Sequence, residues 1–157
     1  MSKIIPANEK IDLRRGIDHI GVGAGAIIHD GKGNVLLMKR GPKARDENGR
    51  WDICGGAIEF GESIDETIKR EIKEELCADA IEIDFLKVYD VHREHSGNKT
   101  HWVQILHAVK VNPKQVKIGE PHKISEIRWF NSNNLPDPLH SQFFKAFQAG
   151  IDSGIVK

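Results

Sequence analysis

The stretch Gly56-Ala57-Ile58-Glu59-Phe60-Gly61-Glu62, continuing through Arg70-Glu71-Ile72-Lys73-Glu74-Glu75 to Ala78, decides how the rest of the chain is read. Its second half predicts a helix beginning near Ser63. Ser63 followed three residues on by Glu66 is a capping-box signature, and Asp65 and Glu66 suit the positive end of the helix dipole. Ile64, Ile68, Ile72 and Leu76 recur every fourth residue and form one apolar stripe that must lie against a core. Acidic residues on such a helix usually pair with cations four residues on, as Asp65 does with Lys69 and Glu66 with Arg70. Glu71, Glu74 and Glu75 do not: four residues beyond them stand Glu75, Ala78 and Asp79, and only Arg70 reaches back to Glu74. Like charges at that spacing cost an isolated helix about 0.2–0.5 kcal/mol per pair, so something must neutralise them. A divalent Mg²⁺ or Mn²⁺, which takes oxygen ligands, is the expected partner.

This run resembles the signature box of the Nudix hydrolases, the MutT-like enzymes that cleave phosphoanhydrides of a nucleoside diphosphate linked to another group. Every charged position of that box is present between Gly56 and Ala78. Two positions depart from the pattern. Cys77 stands where the family has glycine in a left-handed turn, so the helix is expected to run further or end differently; Cys54 replaces the proline before the paired glycines. The resemblance covers about Ile17 to Ala149 and implies an α/β fold, a Nudix-type α/β/α sandwich with a mixed β-sheet.

The whole chain fits that picture. At 157 residues it is read as one domain, residues 17–150, with an N-terminal extension 1–16 and a C-terminal tail 151–157. Lysine plus arginine equals aspartate plus glutamate at 23 each, so no global field attracts polymeric nucleic acid or an anionic membrane. The N-terminus lacks the apolar core of a signal peptide, and Ile20 to Ile28 is too short to span a bilayer, which reads as cytoplasmic. Cys54 and Cys77 are expected as free thiols packed beside the box rather than as a disulfide or a nucleophile. The expected partner is a small-molecule nucleotide; a homodimer stays open.

His19 to His29 is strand-like, Asp30-Gly31-Lys32-Gly33-Asn34 has turn composition, and Val35-Leu36-Leu37-Met38 completes a predicted hairpin. Strands are also predicted at Ile81–Val91, at Thr100–Val111 with both faces apolar and hence central, and at Ile127–Phe130. A helix carrying Leu139, Phe143, Phe144 and Phe147 leads to Gly150. Gly21, Gly23 and Gly25 alternate on one face of the first strand; either a helix or another backbone packs closely there, or they floor a flat base. With Ala26 they also match a dinucleotide fingerprint, dismissed because a strand continues where that fold needs a helix.

By resemblance, Glu71, Glu74 and Glu75 are the metal ligands, with the Gly55 carbonyl an additional one, while Arg70 and Glu62 orient the carboxylates. The family's catalytic base varies in position; Glu120, in Gly119-Glu120-Pro121-His122, is the loop candidate beside the alternative of a solvated glutamate. In the basic run Lys39 to Arg45, Arg40 is expected to grip phosphate, with Lys43 and Arg45 as lesser candidates. Gly56 lies within reach of substrate, and Trp51 either stacks on a base or anchors the core. His92-Arg93-Glu94-His95, with His101 and Trp102, reads as one polar and aromatic cluster opposite the box, open to substrate recognition through Arg93, to zinc, or to plain surface.

These readings converge on a nucleotide pyrophosphohydrolase using Mg²⁺ or Mn²⁺. The first proline after Cys77 is Pro113, whereas relatives that cleave ADP-ribose often carry one soon after the box, which favours a nucleoside triphosphate, including oxidised forms, cleaved to monophosphate and pyrophosphate. ADP-ribose or a nucleotide sugar is the alternative substrate, and a non-catalytic nucleotide sensor is the alternative class.

Overall fold

The computed structural model describes residues 12–157. In chain order the elements are β1 (Gly21–His29), β2 (Val35–Arg40), β3 (Trp51–Asp52), β4 (Cys54–Ala57), α1 (Ile64–Leu76), β5 (Glu82–His95), β6 (Asn98–Lys110), β7 (Ile124–Phe130) and α2 (Phe143–Asp152). The first eleven residues of the expected N-terminal extension lie outside the described residues.

One mixed sheet runs β3-β2-β1-β6-β5, with β7 on β2 and β4 on β1. β1 pairs in parallel with β6 along its whole length. Its other edge is shared: β4 takes Gly23 to Ala26, and β2 takes only Ile28 and His29 before turning away with β3 and β7. The sheet therefore forks between β4 and β2, and the fork opens a cleft.

The two helices cover opposite faces, the expected sandwich. Ala24, Ala26 and Ile28 of β1 and Leu36 and Met38 of β2 pack under Ile68, Ile72 and Leu76 of α1. The alternate residues Ile27, Val35 and Leu37 pack with Phe143, Ala146 and Phe147 of α2. β6 is central as predicted, with Leu106 on the α2 side and Val109 on the α1 side. Among the described residues no helix is long and apolar enough to cross a membrane.

Several expectations are corrected. α1 begins behind the Ser63–Glu66 capping box and ends at Cys77, which takes the left-handed conformation (φ 54°) in place of glycine, so the helix does not run on. β3 and β4 lack a β-rich pattern of their own and exist because β2 and β1 supply partners. β5 and β6 extend to a tight turn at Ser96 and Gly97, both at positive φ. Neither a helix nor a backbone packs on Gly21 and Gly23; the side chains of Trp102 and Gln104 lie there. The tail drawn from residue 151 belongs to the body: α2 runs through Asp152, Val156 is buried against the α2 core, and the Lys157 carbonyl accepts from Ser132 N at 3.1 Å.

Candidate metal and active site

Arg70 organises the loop between β4 and α1. Its Nε donates to Glu62 Oε1 at 2.6 Å, its Nη1 to Glu71 Oε1 at 2.7 Å and to Glu74 Oε2 at 3.3 Å, and its Nη2 to the Ala57 carbonyl at 3.2 Å. Glu62 also accepts from Glu59 N and Thr67 Oγ1, at 3.1 and 2.8 Å. The Arg70 contact, chiefly, holds the Glu62 carboxyl down at about 2. Two glycines let these parts close up: a Cβ on Gly56 would stand 2.2 Å from Glu71 Oε1, and one on Gly55, at φ 149°, would stand 2.5 Å from the Ala24 carbonyl oxygen.

Glu75 is treated differently from its neighbours. It is partly buried, and its polar contacts are the Cys54 thiol, which donates at 2.9 Å, and Gly55 N at 3.4 Å. Among the described residues no basic side chain pairs with it. Burial, with the charge of Glu71 and Glu120 added, pushes its carboxyl up to about 8; burial also raises Glu71. Burial, with Glu75 beside it, raises the Cys54 thiol, which disfavours a thiolate nucleophile. Glu120 is close enough for its charge to act on both glutamates, although its own carboxylate is held by Lys123 at 2.9 Å.

Partly desolvated carboxylates beside a glycine cradle are a donor set that fits a hard divalent ion. Glu75, which has no basic partner among the described residues, Glu71, which shares Arg70 with Glu62 and Glu74, and the Gly55 backbone meet that description. Glu74 stands further out, its side chain 51% exposed and turned to Arg70. Among the described residues, the groups whose ligand atoms come within 4.8 Å of one another are Asp46–Glu47–His140 and Asp90–His92–His101, and the box trio is more open than either.

The cleft at the fork has a volume of about 610 Å³ and joins Glu71, Glu75, Gly55 and Gly56 to the β2–β3 loop and to β5 and β6. Arg40 and Arg93, expected to meet phosphate or substrate, line it with their forks already engaged. Arg40 donates to the Asp46 carbonyl at 2.7 Å and its carboxylate at 2.8 Å; Arg93 pairs with Asp46 at 3.0 Å and Glu47 at 2.5 Å. His140 Nε2 meets Glu47 at 2.8 Å, and Asp52 lies 3.6 Å from Arg40. Asp46, Glu47, Asp52 and His140 were not anticipated, because they come from three separated segments; only the switch from the basic run to Asp46-Glu47 hints at them. Lys43 and Arg45 also line the cleft, and Arg45 is 61% exposed.

Two further expectations change. Trp51 is the core anchor: only 4% exposed, with Phe130 edge-on at 5.2 Å, it offers no face for a base. The His92–His95 segment is not one cluster, because side chains alternate across a strand. Arg93, His95 and Trp102 face the cleft, whereas His92 and His101 stack 4.1 Å apart on the outer face with Asp90 3.0 Å from His101.

Comparison with known proteins adds to this geometry. A family model described as NUDIX domain matches residues 19–149. The ADP-ribose pyrophosphatase of Methanocaldococcus jannaschii is 34% identical over 113 residues, covering 71% of this chain and 62% of that protein. The CTP pyrophosphohydrolase of Escherichia coli is 37% identical over 89 residues, 57% of this chain and 59% of that one. The chain thus spans about three fifths of the length of either relative. Among solved structures, a MutT NUDIX hydrolase from Burkholderia pseudomallei matches with TM-score 0.74 at 30% identity, covering 83% of this chain and 98% of that one. The NUDIX domain of Shewanella oneidensis NrtR, complexed with ADP ribose, shares the fold with TM-score 0.71 at 16% identity, covering 96% and 94%.

Proposed function

The chain belongs to the Nudix family, and on that premise we propose that it is a divalent-metal-dependent hydrolase of a phosphoanhydride bond in a nucleoside diphosphate derivative. The observation that carries this reading is Glu75: a partly buried carboxylate that no basic side chain pairs with among the described residues, set beside Gly55 and Glu71. Glu71, Glu74, Glu75 and the Gly55 carbonyl would hold Mg²⁺ or Mn²⁺, which would supply positive charge against the pyrophosphate oxygens and acidify water for attack. Arg70 and Glu62 are positioning residues that aim the carboxylates. Glu120 is the proposed base, reached once Lys123 yields it. Lys43 and Arg45 are the cations best placed for phosphate, since Arg40 and Arg93 hold the loop wall.

For the substrate, a nucleoside triphosphate releasing pyrophosphate is the first reading, with oxidised forms included. The Methanocaldococcus jannaschii relative favours ADP-ribose as the second. A panel of nucleoside triphosphates, their oxidised forms, ADP-ribose and nucleotide sugars, assayed with Mg²⁺ and Mn²⁺ and with products identified, separates them. Glu75→Gln is expected to lower kcat by several orders of magnitude while the protein still melts cooperatively. Binding without turnover by metal-loaded wild-type protein would make it a sensor instead, and near-normal kinetics in Glu75→Gln would remove that residue from the metal site.

A further inference from the structure

The glycine stripe of β1 has no use in the carboxylate chemistry. Gly21, Gly23 and Gly25 stand in register with Trp102, Gln104 and Leu106 of β6. A Cβ on Gly21 would lie 2.5 Å from the Trp102 ring, one on Gly16 2.1 Å from its Nε1, and one on Gly23 2.7 Å from Gln104 Nε2. No side chain fits in such gaps, so the missing side chains are what allow the indole and the amide to lie flat across β1. Gly16 and Gly21 back the indole, and the Arg45 guanidinium stands over the ring, 5.6 Å from its centroid.

These groups are aimed without protein partners. Among the described residues no hydrogen bond engages the Gln104 amide or the hydroxyl of Tyr89, its cross-strand neighbour in the same cleft. Gln142 also lines the cleft, and its Oε1 is buried and unpartnered. An aromatic face and unspent amides in one wall are what a flat heterocycle with a polar edge requires.

We infer that Trp102 and Gln104 form a nucleobase-recognition pair, the base taking the indole face that Arg45 covers and presenting its hydrogen-bonding edge to the Gln104 amide, while Arg45, exposed and free to swing, turns to the phosphates. This rests on the nucleotide reading above. β4 and β6 flank β1, two strand spacings or about 10 Å apart. A nucleotide with its phosphates at Gly55 and Glu75 therefore crosses β1, where Gly23 and Gly25 add no side chain of their own and the Gln104 amide lies across Gly23, and carries its base over β6. Stacking tolerates any base, and the amide, with one donor and one acceptor side by side, ranks them.

The test combines kinetics on the best nucleotide of the panel with calorimetric titration, in Mg²⁺, of that nucleotide and of inorganic tripolyphosphate. Trp102→Ala is expected to raise KM and Kd for the nucleotide about 5- to 150-fold, with a far smaller change in kcat. Trp102→Phe should recover most of the loss, tripolyphosphate affinity should not move, and Gln104→Leu should reorder preference among ATP, GTP, CTP and UTP. An unchanged KM in Trp102→Ala, or equal weakening of tripolyphosphate, overturns the pair. Should Trp102→Ala fail to fold, Gln104→Leu decides, an unaltered base order counting against it. Nucleotide binding that depends on Trp102 in a protein that hydrolyses nothing removes the hydrolase reading and leaves the pair standing; hydrolysis indifferent to Trp102 does the reverse.

Discussion

Cys77 ends α1 in a left-handed conformation that a side chain adopts at a cost of about 1–2 kcal/mol. It is exposed, so Cys77→Gly loses little packing and removes the strain, less the entropy that glycine adds to the unfolded chain. The net expectation is a gain of about 0.5–1 kcal/mol, read as a higher midpoint in urea unfolding. The sequence departs from its family here while the backbone does not, because the Cys77 N–H still closes onto the Lys73 carbonyl at 3.1 Å. The two cysteines should also differ in chemistry. A thiol-specific disulfide reagent should label Cys77 quickly and Cys54, 1% exposed with its thiol held up by Glu75, only on unfolding. Two equally fast thiols would contradict the Cys54–Glu75 contact.

Among elements, α1 was readable almost throughout, since every feature that makes it is local. Ser63 and Glu66 cap each other, and Ile68, Ile72 and Leu76 of the stripe go inward as its period requires, while Ile64 at the first turn stays exposed. Ser63→Ala should cost about 1 kcal/mol and Ile72→Ala, at a fully buried position, about 2–5 kcal/mol, both measured by denaturant unfolding. The loop before α1 adds a pH signature. Glu62 sits at about 2 when folded against 4.5 ordinarily, so its contribution is complete above about pH 4.5 and is lost as pH falls toward 2. Wild-type melting temperature should therefore drop more steeply through that window than that of Glu62→Gln, and parallel slopes would exclude the Arg70 clamp as the cause. β4 lay beyond such reading. Cys54, Gly55, Gly56 and Ala57 carry no strand period, and they extend only because β1 pairs with them.

At the scale of the molecule, the β2–β3 loop is tied to β5 and to the entry of α2 through Arg93, Asp46, Glu47 and His140. Arg93→Met would strand the Asp46 carboxylate, 6% exposed, with one fewer cation, and about 3 kcal/mol of stability should go with it, measured by urea unfolding. A change below about 0.5 kcal/mol would mean the network is not a structural tie. This network explains why Arg40 and Arg93 looked like substrate ligands in the sequence: a basic residue at a strand end reads alike whether its fork meets a phosphate or a carboxylate from a distant loop. Trp51 was ambiguous for the same reason, and Phe130 decided it. The sequence by itself determined helix α1 with its crowded carboxylates, the alternation of the main strands and the sandwich they make, because periodicity, capping and like-charge crowding act within a few residues. Only the tertiary structure decided which cations stay free, where the sheet forks and which side chains rest on Gly21 and Gly23, because those depend on charges and surfaces brought together from far along the chain, and no local spacing encodes such a meeting.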